Sequence, residues 1–169
     1  MWGAFLAAVI ASGSSSIPTA SPHVRATSGV IRSMLSAAGS STTMTTLLKR
    51  LNASDQVIYI AFTDSPDVPT ARTRFVTATG AVRFLRIEIN ARVAPGDRIP
   101  LLAHELQHAV ELADAPDVRD DEGVRRLYQR IGLGAGPDRF ETAAARTVER
   151  QVRREISGRT IHAARTPKA

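Results

Sequence analysis

One short segment of the chain has the residue types and spacing of a metal centre. His104, Glu105 and His108 form a His-Glu-x-x-His pentad inside an otherwise apolar run, 101–113. Histidines four residues apart leave the same face of a helix one turn apart, so both imidazoles can bind one metal ion. Glu105 can hold a water molecule that is bound to the metal, without itself being a ligand of the metal. The pentad therefore predicts a hydrolytic metal site, and the alternative is a helix that carries these residues without a metal.

A helix from about residue 98 to 113 is expected to carry the pentad. Asp97 can cap this helix, and Pro100 would lie in its first turn, where a missing N–H costs little. A separate apolar stripe would bury the helix and leave the histidines facing a cleft. This stripe consists of Leu102, Leu106, Ala109 and Ala113.

Length and composition predict one globular domain with tails. The chain has 169 residues, of which 43% are hydrophobic and 22% charged, enough for one core and too few for two full domains. It contains no cysteine, so any zinc must be bound by histidine and carboxylate ligands. We assign the domain to residues 25–156 and its fold class to α+β, with a small β-sheet, an active-site helix and a helical C-terminal part.

The predicted elements are two helices, three strands, the pentad helix and two further helices. The helices are expected near 30–39, 43–52, 98–113, 121–131 and 139–156, and the strands at 56–62, 72–78 and 81–90. β-branched and aromatic residues between turn formers indicate the first strand, which should be buried on both faces. Thr79 and Gly80 predict a tight hairpin turn between the second and third strands.

Both ends of the chain differ in composition from the domain. The apolar run 1–11 has the length of a signal-peptide core and is too short to span a bilayer, although no basic residue precedes it. We therefore interpret 1–24 as a signal peptide and linker, which predicts a secreted or periplasmic protein with no transmembrane span in its mature form. Most of the net charge of +6 lies in the segment from Arg146 onward, and 157–169 is expected to be a basic, disordered tail. No interleaved aromatic residues and no base-recognition motif accompany that charge, so no specific nucleic-acid partner is expected.

A metal site of this kind needs a third protein ligand, and the chain offers two main candidates. Glu141 falls in the apolar stripe of the last predicted helix, where an unpaired carboxylate would be costly and a metal ion would offset its charge. Alternatively, Glu141 forms a capping box with Asp138. Glu111 lies on the pentad helix itself, where three ligands along two turns cannot readily converge, so orienting a histidine suits it better. Four further carboxylates are interpreted as caps or solvated loop residues: Asp114, Asp117, Asp120 and Asp121.

The pentad and a later segment together resemble a known family. His104-Glu-Leu-Gln-His108, followed 33 residues later by Glu141-Thr-Ala-Ala-Ala145, resembles the gluzincin pattern of zinc metallopeptidases. The resemblance covers about residues 80–150 and extends to small bacterial proteins with this pentad. It implies a zincin-like fold, a peptide or protein substrate, and zinc bound by His104, His108 and Glu141. Several gluzincins carry a supporting aspartate where this chain has Ala145, so support must come from elsewhere.

The resemblance also implies a mechanism. Glu105 would act as the general base that takes a proton from water activated by zinc and passes it to the leaving amine. Tyr128 is a candidate donor to the tetrahedral oxyanion, with simple core packing as the alternative. The third predicted strand, 81–90, could provide the edge along which an extended peptide lies. The alternative function is a non-catalytic, metal-stabilised protein that docks on an anionic surface through the basic tail.

Overall fold

The computed structural model describes residues 22–134 and 140–165, and side chains as far as residue 158. In chain order the elements are β1 (Val24–Ala26), α1 (Gly29–Ala38), α2 (Thr42–Asn52), β2 (Gln56–Thr63), β3 (Ala71–Thr79), β4 (Val82–Asn90), α3 (Pro95–Ala113), α4 (Asp121–Ile131) and α5 (Ala143–Arg165). This arrangement confirms the predicted α+β class. Nearly all of the predicted signal peptide and linker lies outside the described residues. Within the described ranges, no helix is both long enough and apolar enough to cross a bilayer.

The four strands form one mixed sheet in the order β1-β2-β4-β3. β1, β2 and β4 run parallel, and β3 pairs with β4 as an antiparallel hairpin. The prediction that 81–90 forms a sheet edge is therefore wrong, because β4 lies between β2 and β3. Burial gives the physical reason: β4 is mostly buried and suits an interior position, whereas β3 is half exposed and suits an edge.

The core lies between one face of this sheet and the helices. Alternate residues of β2 and β4 point into it, and α3 packs against them with its apolar stripe. The core residues of these three elements with no exposed surface are Ile58, Ile60, Leu85, Ile87, Ile89, Leu102, Ala103, Leu106 and Ala109. α5 packs on the other side of α3. The pentad helix is thus held between the sheet and the C-terminal helix.

The pentad helix starts earlier than the sequence suggests. It begins at Pro95, and its N-cap, Ala94, makes no side-chain capping bond. Asp97 lies in the first turn instead of capping the helix, and Pro100 lies in the second turn. Proline is favoured at the first helical position because its φ angle is already helical. Pro95 therefore sets the start, and the predicted Asp97 cap is wrong.

The last helix also has different bounds from those predicted. It begins at Ala143, where Thr142 Oγ1 accepts a hydrogen bond from the backbone N–H of Ala145 at 3.1 Å. Glu141 therefore precedes the helix, so its assignment to an apolar helical stripe is wrong, and it does not occupy the capping-box position. The helix continues to Arg165 and so includes part of the segment predicted to be a disordered tail.

Glu155 joins α5 to the start of α2. Its carboxylate accepts hydrogen bonds from Ser41 Oγ at 2.5 Å, from the Thr43 N–H at 3.2 Å and from Thr43 Oγ1 at 2.7 Å. Burial alone would raise the pKa of Glu155, but the hydrogen bonds from Ser41, Gln151 and Thr43 lower this pKa to about 2. A carboxylate at a helix N-terminus also interacts favourably with the helix dipole.

We expect Glu155→Gln to lower the free energy of unfolding at pH 7 by about 1–2 kcal/mol, because charge-assisted hydrogen bonds are replaced by weaker neutral ones. A depressed pKa stabilises the fold only while the carboxylate is ionised. The contribution should therefore be complete above about pH 4.5 and decline as the pH falls toward 2. Denaturant unfolding of both proteins at several pH values measures this. Glu122→Gln, at an exposed position of α4, is the control, and an equal loss there would contradict the prediction.

Candidate metal centre

The candidate ligands come from two elements that pack together. His104 and His108 lie one turn apart on α3, and Glu141 lies just before α5. One ligand atom from each of these residues falls within 4.8 Å of the others, and His104 Nε2 is 3.5 Å from Glu141 Oε1. Ligands bound at 2.0–2.2 Å to a tetrahedral ion are about 3.3–3.6 Å apart. The group could therefore hold a metal ion with little movement of its side chains.

The three side chains are mostly shielded from water but are not sealed. The exposed fractions of the His104, His108 and Glu141 side chains are 12%, 8% and 23%. The imidazole rings meet edge to face, with centroids 4.9 Å apart. Glu141 is the most exposed of the three, so the site opens toward solvent on the Glu141 side.

The orientation of His108 is set by Glu111. Nδ1 of His108 lies 2.8 Å from Glu111 Oε2, and Thr142 Oγ1 donates to Glu111 Oε1 at 2.6 Å. Burial alone would lower the pKa of His108, but the Glu111 hydrogen bond and the charge of Glu105 raise it. Burial alone would raise the pKa of Glu111, but the bonds from His108 and Thr142 lower it. With Nδ1 engaged, Nε2 is the His108 nitrogen left for a metal.

The orientation of His104 depends on Glu149, a residue that the sequence reasoning did not identify. Nδ1 of His104 lies 3.2 Å from Glu149 Oε2, and Arg153 donates to Glu149 Oε1 at 3.1 Å. Arg153 also bonds Asp97 in the first turn of α3. The sequence spacing could have identified Glu149. It lies four residues, about one helical turn, after Ala145, the position where several gluzincins carry aspartate.

Glu141 is held by its backbone and by its neighbours. The Leu133 N–H donates to the Glu141 carbonyl at 2.7 Å, which ties the segment to the end of α4. Glu141 Oε1 accepts from the Thr142 N–H at 3.0 Å, and Glu141 Oε2 is 3.4 Å from Arg146 Nε. Thr142 therefore connects the candidate ligand, the Glu111 carboxylate and the start of α5.

Glu105 is buried beside the histidines, with only 5% of its surface exposed. Thr73 Oγ1, on strand β3, donates to Glu105 Oε2 at 2.8 Å. Burial raises the pKa of Glu105, and the charges of His108 and His104 and the Thr73 hydrogen bond offset this only in part. A carboxylate with a raised pKa is better matched to accept a proton near neutral pH.

Tyr128 is buried in the protein interior beside His108. Its hydroxyl donates to the His108 carbonyl at 3.3 Å, and its ring stacks on Phe140 with centroids 4.7 Å apart. Burial raises the pKa of Tyr128 well above its ordinary value, so the hydroxyl stays protonated. Because that hydroxyl already has a backbone acceptor, the position favours the packing alternative over the predicted oxyanion donor.

The site combines four carboxylates with two imidazoles. Glu105, Glu111, Glu141 and Glu149 all lie within reach of His104 or His108. Closely spaced carboxylates repel one another unless a cation offsets their charge. A divalent ion among these ligands would supply that charge.

Comparison of the chain with family models, with curated proteins and with solved structures gave no match. Within the part of the chain that the structure describes, His104, His108 and Glu141 form a group that could hold a metal ion.

Proposed function

We propose that the protein is a zincin-like zinc peptidase of the gluzincin type. The observation that supports this most is the convergence of His104, His108 and Glu141, whose ligand atoms lie within 4.8 Å of one another beside the buried carboxyl of Glu105. Two imidazoles and one carboxylate form a donor set that suits zinc, and three protein ligands leave a coordination position open for catalysis. The α+β fold, with the pentad helix packed under a small mixed sheet, is consistent with this assignment.

The chain's own residues have distinct roles in the proposed reaction. Zinc, when bound, would polarise the scissile carbonyl and acidify the attacking water. Glu105 accepts the proton from that water and transfers it to the leaving amine. Thr73 donates to the Glu105 carboxylate, while Glu111 and Glu149 engage the histidine Nδ1 atoms, so each Nε2 atom would be the one to bind zinc.

Strand β3 is the proposed support for the substrate. It is an edge strand of the sheet, and its Thr73 contacts Glu105 directly. An extended peptide can add to such an edge through backbone hydrogen bonds. The proposed substrate would then lie along 71–79 instead of along 81–90, beside the strand whose Thr73 contacts Glu105.

Export of the protein is a separate proposal, which rests on the composition of 1–24. It predicts a mature N-terminus between about Gly13 and Ser21. N-terminal sequencing of material from the culture medium or periplasm tests this, and an intact Met1 there would overturn it.

The activity proposal is tested with purified, chelator-treated protein that is then reconstituted with zinc. We expect one zinc ion per chain by elemental analysis. We also expect cleavage of a peptide library that is lost with chelator and restored by zinc. A chain that binds no zinc after reconstitution would overturn the site assignment. Stoichiometric zinc without any cleavage would favour the non-catalytic alternative.

The ligand assignment makes a prediction about the ranking of three glutamates. Glu141→Ala should lower zinc affinity at least about a thousandfold, because it removes a direct ligand from a site with three. Glu111→Ala and Glu149→Ala should each lower it by about 10–100-fold, because they remove only a partner of a histidine. Competition with a chromophoric chelator measures all three. A larger loss for Glu111→Ala would reassign the third ligand.

A further inference from the structure

The sheet face that points away from the core carries a row of arginines. Arg25, Tyr59, Arg86 and Arg74 pair in register across β1, β2, β4 and β3. Their chain neighbours on β2 and β4 point into the core, so this row points outward. Arg74, Arg86 and Tyr59 are exposed, and Arg25 is half-buried. Because adjacent strands lie about 4.8 Å apart, the row spans about 14 Å.

Three guanidinium groups of this face, those of Arg25, Arg72 and Arg86, contact polar or aromatic neighbours. Arg25 donates to the Tyr59 hydroxyl at 3.0 Å, and its guanidinium carbon lies 5.6 Å from the centre of the Tyr59 ring. Glu88 contacts Arg72 at 2.7 Å and Arg86 at 3.2 Å. Arg72, two residues before Arg74, adds a fourth cation to the same face. The face therefore presents four arginines against one glutamate.

Folding alone does not favour this arrangement. Arg74 and Arg86 are directly opposite each other on β3 and β4, and like charges in that position destabilise a sheet. An anionic partner would remove the repulsion. We propose that the arginine row (Arg25, Arg72, Arg74 and Arg86) docks the protein on the anionic surface of a phospholipid bilayer.

Three features favour a bilayer over other polyanions. The four arginines lie on one face of the sheet, which can meet a layer of lipid phosphates, and each guanidinium can bind phosphate in a bidentate manner. The Tyr59 ring is already covered by Arg25, whereas single-stranded nucleic acid needs free aromatic platforms. Val82 and the partly exposed Phe84 lie on the same face and can rest at the headgroup level.

This orientation would leave the candidate metal centre accessible. On β3, Thr73 points inward to Glu105, whereas Arg72 and Arg74 point to the opposite side of the sheet. Docking through the arginine row would therefore turn the helices, with His104 and His108, away from the lipid. The docking proposal does not depend on the protein being a peptidase.

Vesicle sedimentation with the full chain tests the proposal. Wild type should bind vesicles of equal parts phosphatidylglycerol and phosphatidylcholine, and bind pure phosphatidylcholine vesicles far more weakly. The double variant Arg74→Gln/Arg86→Gln should lower the partition coefficient on the anionic vesicles by about ten- to thirtyfold. Arg150→Gln/Arg154→Gln on α5 removes the same charge from exposed positions elsewhere and should change it less than about threefold. Unchanged far-UV circular dichroism and melting temperature show that both variants fold.

Three outcomes would overturn the proposal. Equal losses in the two double variants would show that net charge, and not the arginine row, attracts the protein. Equal binding of wild type to both kinds of vesicle would exclude recognition of anionic headgroups. Tighter binding to a single-stranded oligonucleotide or to polyglutamate than to the anionic vesicles would assign the face to a different class of partner.

Discussion

Replacing Glu105 with glutamine should leave one zinc ion bound per chain and slow peptide hydrolysis by roughly a thousandfold. The amide has nearly the same shape, and its oxygen can still accept the hydrogen bond that Thr73 Oγ1 gives to Glu105 at 2.8 Å. It cannot take a proton from water. Affinity for zinc should change little, since Glu105 is not among the residues whose ligand atoms converge. The rate is measured with zinc-loaded protein on the best substrate from the peptide library.

The same substitution separates catalysis from folding. Burial raises the pKa of Glu105, so the zinc-free protein becomes less stable as the pH rises from the unfolded-state pKa through the folded-state value. Zinc-free Glu105→Gln lacks that titration and should be at least as stable as wild type at pH 7. Glu122→Gln on the surface of α4 is the matched control and should keep full activity. Hydrolysis by Glu105→Gln within tenfold of wild type would remove Glu105 from the role of base.

Features that depend on local pattern were the most predictable from the sequence. The His104–His108 pair needs only one helical turn, and the short hairpin needs only Gly80, which has a φ of 56°. The bounds of α4, Asp121–Ile131, follow from an aspartate cap and an apolar stripe with helical periodicity, and they match the prediction. In each case the deciding residues lie within about a dozen positions of one another.

Features that depend on tertiary packing were not predictable in this way. The start of α5 is set at Thr142, whose hydroxyl also bonds Glu111 on α3, 31 residues earlier. The apolar pattern predicts Glu141 within a helix, whereas Glu141 precedes α5 and is held by hydrogen bonds from the backbone N–H groups of Leu133 and Thr142. β4 is an interior strand because it pairs with β2, although β3 lies between these two strands in the sequence. No local pattern encodes this pairing.

Arg83 is a further residue that the sequence reasoning assigned only to a strand. Its side chain is 1% exposed and forms a bidentate pair with Asp55, at 2.8 and 2.7 Å. The same guanidinium donates to three backbone carbonyls at the end of α3 and in the turn that follows: Leu112, Ala115 and Val118. The Leu112 and Ala115 carbonyls also accept backbone N–H groups of the turn, so Arg83 adds a side-chain donor to a hydrogen-bonded turn. Arg83 therefore fixes the C-terminal end of the pentad helix to strand β4.

Arg83→Met should lower the free energy of unfolding by about 3–5 kcal/mol, because it leaves the Asp55 carboxylate without its bidentate partner and removes the buried guanidinium from three backbone carbonyls. Arg83→Lys should recover little of this loss, since an ammonium group cannot reproduce the five-donor fork. The hydrogen bond from Arg83 lowers the pKa of Asp55 below its usual value. The wild-type advantage over Arg83→Met should therefore shrink as the pH falls below about 4.

Denaturant unfolding of the zinc-free proteins measures this loss of stability, with Arg86→Met as the control. Arg86 follows Arg83 by three residues on β4 and points to the opposite face of the sheet, and its side chain is 51% exposed. A loss below about 1 kcal/mol for Arg83→Met would show that water can replace the guanidinium, and that the end of the pentad helix is held by its apolar contacts alone.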